Sequence, residues 1–220
     1  MPNPSTWRSG QRPAEDDRAA AALTPRGSVD DWVHAPVDLL ALPQAMCGGT
    51  VLLQQGAVPT HVWFLHRGAL KASNYADSGR ERIKEFYFPG EFCVMYLAWL
   101  TGQASRYQVE VVEDATVTSI PIDRWDAPEL AELRGRLLRE QLTFKERKEE
   151  MLLLHSPEQR YLYVQLHFPT WTARLSQRQL AAYIGITEVS LSRIRGRLKG
   201  SLPRATSPRG SYAEVPFNKG

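Results

Sequence analysis

The chain has few of the features that mark secreted or membrane proteins. It has only two cysteines in 220 residues, Cys47 and Cys93, and they stand far apart. Such usage is typical of reduced thiols rather than of a disulfide scaffold. No apolar run approaches the roughly 18 residues that a membrane helix requires, and the N-terminus lacks the apolar core of a secretory signal. The sequence therefore predicts a soluble, cytoplasmic protein with no membrane partner.

Excess charge of one sign is also scarce, but the charge that exists is unevenly placed. The formal net charge is +3. Between residues 172 and 210, Glu188 is the only acid, whereas cations recur throughout. These cations are Arg174, Arg178, Arg193, Arg195, Arg197, Lys199, Arg204 and Arg209. A basic segment in a nearly neutral protein is typical of a surface that contacts nucleic acid.

Residues 176–199 carry the pattern of a helix-turn-helix. Ser176 followed three residues later by Gln179 predicts a capping box, in which each side chain bonds the other's backbone N–H. Gly185 then supplies the positive φ that a tight turn needs, and Thr187 caps a second helix. This second helix has three apolar positions at helical spacing: Leu191, Ile194 and Leu198.

The remaining face of the second helix predicts DNA binding. Short polar groups and an arginine near its start can reach base edges in the major groove, with Arg193 suited to guanine and Glu188 to cytosine. Cations further along can neutralise phosphates. The alternative is a helical hairpin that only packs on another domain. The predicted DNA-binding residues are Ser176, Gln177, Arg178, Thr187, Glu188, Val189, Ser190, Ser192, Arg193, Arg197 and Lys199.

The region before the helices predicts a β domain, so that the fold class is α+β. Residues 1–30 have no apolar period and are expected to form a disordered arm, and a short helix is possible over Pro36–Met46. Residues 31–126 contain short strand-like segments separated by turns, which indicate a β-barrel or jelly roll. These segments are Val51–Leu53, Val62–Leu65, Leu70–Ser73, Arg82–Phe88, Gln108–Val112 and Thr116–Ile120.

Residues 127–155 predict a long helix with an apolar stripe. We expect this stripe to form a dimer with a second copy; packing against the chain's own barrel is the alternative. Ser156 and Pro157 then begin another helix, which should run to about His167. A DNA-binding domain would thus cover residues 156–200, and residues 201–220 would form a flexible tail. The stripe consists of Leu130, Leu133, Leu137, Phe144 and Met151.

A β-barrel, a long helix and a helix-turn-helix in this order resemble the Crp/Fnr family of transcription regulators. Val62 to Leu70, VWFLHRGAL, looks like the family's strand-turn-strand signature, with Gly68 at the turn. Phe88-Pro89-Gly90-Glu91, followed by Ser105-Arg106, resembles its phosphate-binding cassette. The resemblance implies a homodimer that binds double-stranded DNA and regulates transcription, with RNA polymerase as a further partner.

The same resemblance implies an effector pocket built from Gly90, Glu91, Ser105, Arg106 and Tyr107. In the family, the glutamate holds the ribose hydroxyl and the arginine pairs with the cyclic phosphate. Tyr107, however, stands where the nucleotide binders carry a small residue, and its ring would fill space that the nucleotide needs. Cyclic AMP is therefore not the expected effector. Two cysteines cannot supply the four ligands of the family's iron–sulfur cluster, so no such cluster is expected.

Two alternatives differ in class. A metal-dependent, cupin-like enzyme would need clustered ligands, but His61 and His66 lack that spacing, and Glu91 is the only tempting third ligand. The sequence therefore predicts neither a metal site nor catalytic residues. The other alternative is a regulator that acts constitutively without an effector, its pocket being filled by Trp99, Tyr107 and their neighbours.

Overall fold

The structure is a computed structural model that describes residues 42–201. The N-terminal part contains the strands and one short helix, and the other helices follow. The strands are β1 (Gln44–Met46), β2 (Val51–Leu53), β3 (His61–Tyr75), β4 (Glu81–Tyr87), β5 (Phe92–Cys93) and β6 (Gln108–Pro121). The helices are α1 (Tyr96–Thr101), α2 (Ile122–Trp125), α3 (Ala131–Leu154), α4 (Pro157–His167), α5 (Pro169–Arg174), α6 (Gln177–Ile184) and α7 (Glu188–Ser201). A 3₁₀ turn at Pro128–Leu130 precedes α3.

Two long antiparallel strands, β3 and β6, organise the sheet. Their pairing runs from His61 opposite Pro121 to Ser73 opposite Gln108. In the half of this ladder that begins at His61, β5 pairs with β3 and β1 pairs with β6. In the half that ends at Ser73, β4 pairs with β3 and β2 pairs with β6. The order β1-β6-β3-β4 leaves the described sheet open, so the predicted barrel is not closed. We call residues 44–121 the β-roll.

Gly68 lies within β3 and not at a turn between two strands. Its φ is +92°, and the pairing register with β6 shifts on both sides of it. A Cβ at this position would lie 2.6 Å from the Cα of Ala115 and from the carbonyl oxygen of Asp114. A glycine bulge therefore lets two long strands bend together, which corrects the predicted strand-turn-strand at Val62–Leu70. Likewise, the two strands predicted between residues 108 and 120 are one continuous strand, β6.

The segments at the two ends of the described residues differ from the sequence predictions. The helix expected over Pro36–Met46 is wrong for Gln44–Met46, which form β1 because they pair with β6. The rest of that segment lies partly outside the described residues, as do the predicted arm at 1–30 and the predicted tail from residue 202. Ser201, placed in the tail, is the last residue of α7. Within residues 42–201, no helix has both the length and the apolar character to cross a membrane.

Helix α3 buries its predicted dimer stripe against its own chain. Leu133 and Leu137, with Leu130 just before the helix, pack with Phe92 of the β-roll and Trp125 of α2. Phe144 and Met151 are also buried, on the C-terminal half of the helix. The expectation that these residues face a partner is therefore wrong, because the β-roll and the C-terminal helices already cover them. The alternative interpretation of the stripe holds.

Polar contacts fix the same face of α3 to β4. The Gln141 amide nitrogen lies 3.4 Å from both carboxylate oxygens of the fully buried Glu85, which also accepts a hydrogen bond from the Tyr87 hydroxyl at 3.1 Å. Two turns further on, Lys148 donates to the carbonyl oxygens of Ile83 and Lys84. A buried carboxylate with several partners is costly to displace, so these contacts specify how α3 lies on the sheet.

Helix α4 forms as predicted, whereas α5 (Pro169–Arg174) was not predicted. Ser156 makes a capping box with Gln159, and α4 ends at His167. Arg160 on α4 donates to the carbonyl oxygens of Leu152 (2.7 Å), His155 (3.0 Å) and Ile184 (3.2 Å). One guanidinium therefore joins the end of α3 to the end of α6, where the final carbonyls of a helix lack internal partners.

A buried ion pair joins β3 and β4. Lys71 Nζ lies 2.7 Å from Glu81 Oε1, which also accepts hydrogen bonds from Ser73 (2.8 Å) and Tyr75 (3.1 Å). Burial alone would raise the pKa of Glu81, but the hydrogen bonds from Lys71 and Ser73 and the Lys71 charge outweigh it, so the pKa is lowered. The ionised form of Glu81 therefore stabilises the folded chain.

We predict that Gly68→Ala destabilises the chain far more than Gly79→Ala. Both glycines have positive φ, but a Cβ at Gly79 meets nothing within 4 Å. Gly79→Ala should cost about 1 kcal/mol of backbone strain, and Gly68→Ala about 3 kcal/mol or more, because a clash with β6 is added. Urea unfolding of both variants measures the difference. Equal losses would contradict the close approach at the bulge.

We also predict that Glu81 contributes to acid sensitivity. Because its folded pKa is lowered, its stabilisation is present above the pKa of the unfolded chain and disappears as the pH falls through the folded pKa. Glu81→Gln should lower the free energy of unfolding at pH 7 by about 1–2 kcal/mol. It should also reduce the difference in that free energy between pH 7 and strongly acidic solution. Urea unfolding across this range provides the test, with the exposed Glu129→Gln as control. An unchanged gap in Glu81→Gln would refute the assignment.

Candidate functional site

Helices α6 and α7 form the predicted helix-turn-helix. The Ser176 N–H donates to Gln179 Oε1 at 2.8 Å, and the Gln179 N–H donates to Ser176 Oγ at 3.2 Å, which completes the capping box. Helix α6 ends at Gly185, whose φ is +75°. Thr187 caps α7, because its hydroxyl accepts the Ser190 N–H at 3.1 Å. All of these local signals are confirmed.

Buried anchors hold α7 against α6. Leu191 and Ile194 belong to the same apolar cluster as Leu180 and Ala181, and Leu198 packs against its edge. Ala181 is buried where the helices meet, as its small size predicted. The opposite face of α7 therefore has a fixed orientation.

That opposite face presents most of the predicted DNA-binding residues to solvent. Val189 is 61% exposed, and Glu188, Ser192 and Arg193 are exposed beside it. Ser190 differs: it is only half-exposed and its hydroxyl lies 2.8 Å from the Thr187 hydroxyl, so it serves the helix cap. The other predicted residues that are exposed are Ser176, Gln177, Arg178, Thr187, Arg197 and Lys199.

Charge on this surface includes residues that the sequence did not single out. Arg197 pairs with Glu158 of α4 at 2.9 Å, whereas Arg193 forms no ion pair within the described part of the chain. A cleft of about 270 Å³ separates the β3–β4 hairpin from the start of α7, and Arg80 and Arg82 line it together with Arg178. Only the docking of the helix-turn-helix on β4 brings these three arginines together, so no local signal could have found them.

A second cavity lies between α1, the loop after it and α3. Its volume is about 450 Å³, and most of its lining is apolar. We call it the α1–α3 cavity. The lining residues are Lys84, Met95, Tyr96, Leu97, Ala98, Leu100, Thr101, Gln103, Ala104, Ser105, Arg106, Tyr107, Leu138, Gln141, Leu142 and Lys145.

The predicted effector residues divide into two groups. Ser105, Arg106 and Tyr107 line the α1–α3 cavity, but Gly90 and Glu91 do not. Glu91 is buried, and its carboxylate accepts the Phe88 N–H at 2.8 Å, which closes the turn before β5. Two of the five predicted pocket residues, Gly90 and Glu91, therefore lie outside the cavity, because Glu91 holds its own loop.

Polar groups at the α1–α3 cavity are placed unevenly. The buried Ser105 hydroxyl donates to the Tyr107 carbonyl oxygen (2.9 Å) and accepts the Tyr107 N–H (3.1 Å), so the loop itself uses it. Lys84 Nζ lies 5.0 Å from the centroid of the Tyr107 ring. Lys84 and Lys145 lie 3.9 and 4.0 Å from the buried Glu85 carboxylate.

The residues considered as metal ligands or as pocket-filling side chains form other contacts. His61 lies 2.9 Å from the Thr60 hydroxyl and His66 lies 2.8 Å from the Thr118 hydroxyl; burial lowers the pKa of His66. Over residues 42–201, no His, Cys, Asp and Glu side chains gather as metal ligands. Trp99 donates to Asp126 and does not line the cavity, so it does not fill the pocket as the constitutive alternative supposed.

A β-roll, a long connecting helix and a helix-turn-helix with an exposed recognition face define a class of DNA-binding regulator. The family profile of the cyclic nucleotide-binding domain matches residues 43–127. The transcriptional activator protein Anr of Pseudomonas protegens is 25% identical over 167 residues, which cover 69% of this chain and 68% of Anr. The anaerobic regulatory protein of Haemophilus influenzae is 24% identical over 165 residues, or 68% of this chain and 63% of that protein.

Solved structures share the same arrangement. FixK2 from Bradyrhizobium japonicum has a TM-score of 0.60 at 19% identity, covering 74% of this chain and 86% of FixK2. A CRP/FNR-family transcriptional regulator from Thermus thermophilus has a TM-score of 0.64 at 18% identity, covering 73% of this chain and 87% of that one. Residues 43–127 thus match a cyclic nucleotide-binding domain, and the chain is similar in sequence and fold to transcription regulators of the Crp/Fnr family. These relatives are regulators, and none of them favours the cupin-like enzyme that the sequence left as an alternative.

Proposed function

We propose that the chain regulates transcription as a homodimer in which α7 reads base edges in the major groove. The observation that carries this proposal is the pairing of buried anchors with an exposed polar face on one helix. Leu191 and Ile194 fix the helix, while Glu188, Val189 and Arg193 lie on the solvent side near its start. A recognition helix contacts bases with the residues of its N-terminal half.

Cations around the recognition face would position the protein on the DNA backbone. Lys199 and Arg197 follow the reading residues along α7, and Arg178 lies at the start of α6. Arg80 and Arg82 on the hairpin border the same surface through their shared cleft with Arg178. Such contacts to phosphates set orientation and salt dependence, whereas contacts to bases set sequence preference.

The dimer would form through the face of α3 that the chain leaves open. Leu142 is 62% exposed and Leu153 is 72% exposed, although both are large and apolar. With Leu138, they lie on the side opposite the buried stripe, because their spacing follows the helical repeat. A symmetric dimer would present two recognition helices, as two half-sites about 34 Å apart on consecutive major grooves require.

The α1–α3 cavity is the place that we propose for an effector. Ser105, Arg106 and Tyr107 line it from the β-roll, and Leu138 and Leu142 line it from α3. A ligand there would touch the helix that leads to the DNA-binding part. We also expect RNA polymerase as a partner and the cytoplasm as the site of action, since a transcription regulator works where the polymerase meets DNA.

We predict that Arg193→Ala and Lys199→Ala weaken DNA binding in different ways. Arg193→Ala should lose about 1–3 kcal/mol on a target selected from genomic fragments, with little change on random DNA. Lys199→Ala should weaken both complexes alike and lower the slope of log affinity against log salt by about one. Fluorescence anisotropy titrations at several salt concentrations measure both effects.

The control for these titrations is Arg124→Ala, because Arg124 is exposed on α2, away from the helix-turn-helix. It should leave both complexes unchanged. If Arg193→Ala weakened the two DNAs equally, α7 would contact phosphates there and not bases.

We predict that Leu142→Glu disrupts the dimer and that Leu154→Glu does not. Leu154 is as exposed as Leu153, but it lies on a different side of α3. Glutamates introduced at Leu142 would meet across the two-fold axis, so the dimer dissociation constant should rise about tenfold or more, which is roughly 1.4 kcal/mol. Sedimentation equilibrium measures this constant. Equal effects of the two substitutions would place the dimer contact elsewhere.

A further inference from the structure

We propose that the α1–α3 cavity takes a small amphipathic anion, with an apolar body and one negatively charged group, and not a cyclic nucleotide. This inference rests on the proposed function of the cavity as an effector site. It depends on three features of the described residues: the walls, the engaged polar groups and the sign of the charge at the rim.

The walls suit an apolar body. Met95, Leu97 and Leu100 line the cavity from the α1 segment, and Leu138 and Leu142 line it from α3. At about 450 Å³ the cavity lies within the range of small-molecule sites, which are mostly apolar with a few polar groups that orient the ligand. Burying these side chains against a hydrocarbon chain or an aromatic ring would remove apolar surface from water.

Two of the groups that would recognise a cyclic nucleotide are engaged within their own loops. The Glu91 carboxylate, expected to hold a ribose hydroxyl, lies outside the cavity and accepts the Phe88 N–H. The Ser105 hydroxyl already donates and accepts within its own loop. A purine and a ribose buried against the leucines would lose hydrogen bonds to water without replacement, which opposes binding.

The charge at the rim favours a negative group. Lys84, Arg106 and Lys145 line the cavity, and the lining contains no carboxylate. Lys84 and Lys145 lie 3.9 and 4.0 Å from Glu85, so the inference depends on the charge of Arg106. Arg106 is exposed at the opening. A single carboxylate or sulfonate there would gain charge-assisted hydrogen bonds while the apolar body enters the cavity.

The test is isothermal titration calorimetry of the full chain with octanoate, octan-1-ol, octylammonium and cyclic AMP. We expect saturable octanoate binding at least about tenfold tighter than that of the neutral and cationic analogues. Cyclic AMP should show no saturable binding. Equal affinity for octanoate and octan-1-ol, no octanoate binding, or tighter binding of cyclic AMP would each overturn the proposal.

Substitutions locate the octanoate. Arg106→Gln should weaken octanoate about fivefold to tenfold and leave octan-1-ol unchanged, whereas Arg124→Gln, the matched surface control, should change neither. Ala104→Phe should weaken both, because the exposed Ala104 lines the cavity and its replacement would project a ring into it. Both changed residues are exposed, so folding should persist, as circular dichroism would show. Octanoate binding unaffected by Arg106→Gln and Ala104→Phe would place the site elsewhere.

Two parallel measurements separate this inference from the proposed function. DNA binding without octanoate binding would sink the anion site and leave the regulator intact; octanoate binding without DNA binding would do the reverse. Octanoate binding that vanished at concentrations where the chain dimerises would mean that the second copy's helix fills the cavity, and it would overturn the proposal.

Discussion

Lys148 of α3 donates to the carbonyl oxygens of Ile83 and Lys84 on β4, and its ammonium lies 3.7 Å from the centroid of the Tyr183 ring on α6. This side chain of the long helix thus contacts both the β-roll and the DNA-binding part. The side chains on the same face of α3 are buried, from Leu133 to Met151. The way α3 lies on β4 therefore decides which helix face stays open, where the cavity forms and where the recognition helix points.

The helix-turn-helix also depends on contacts outside itself. Phe86 of β4 packs against Trp171 and Tyr183, with ring centroids 5.5 and 5.9 Å apart. Arg160 bonds the ends of α3 and α6, and Arg174 bonds the Gly68 carbonyl oxygen and Glu113 of the β-roll. Because the β-roll and the C-terminal helices share an apolar core and the Arg174–Glu113 ion pair, a displacement of α3 would change the position of the helix-turn-helix in this arrangement.

Local signals in the sequence predicted the helices well. The capping boxes at Ser156 and Ser176, the turn at Gly185 and the cap at Thr187 depend on residues three or four positions apart, and all are present. The reading surface follows directly, because a capped helix with three apolar anchors leaves only one face for DNA.

Features that depend on distant residues were predicted poorly. A glycine such as Gly68 is typical of a turn, and only the close approach of Ala115 shows that it forms a bulge. Both faces of α3 carry leucines at helical spacing, so periodicity could not decide which face meets the sheet. The separation of Glu91 from Arg106 depends on how the loop around α1 folds, and a motif match cannot show where a carboxylate points.

The two faces of α3 have different consequences for regulation. The buried face couples the position of the β-roll to that of the C-terminal helices, since it contacts both. The open face carries Leu142, which lines the cavity and also stands on the surface proposed for the dimer. A ligand in the cavity and a second copy of the chain would therefore contact neighbouring surfaces of one helix. Any free energy by which the ligand favours the dimer must equally make the dimer bind the ligand more tightly. An effector at this site would thus control DNA binding by adjusting the population of paired helices, without contacting the helix-turn-helix itself.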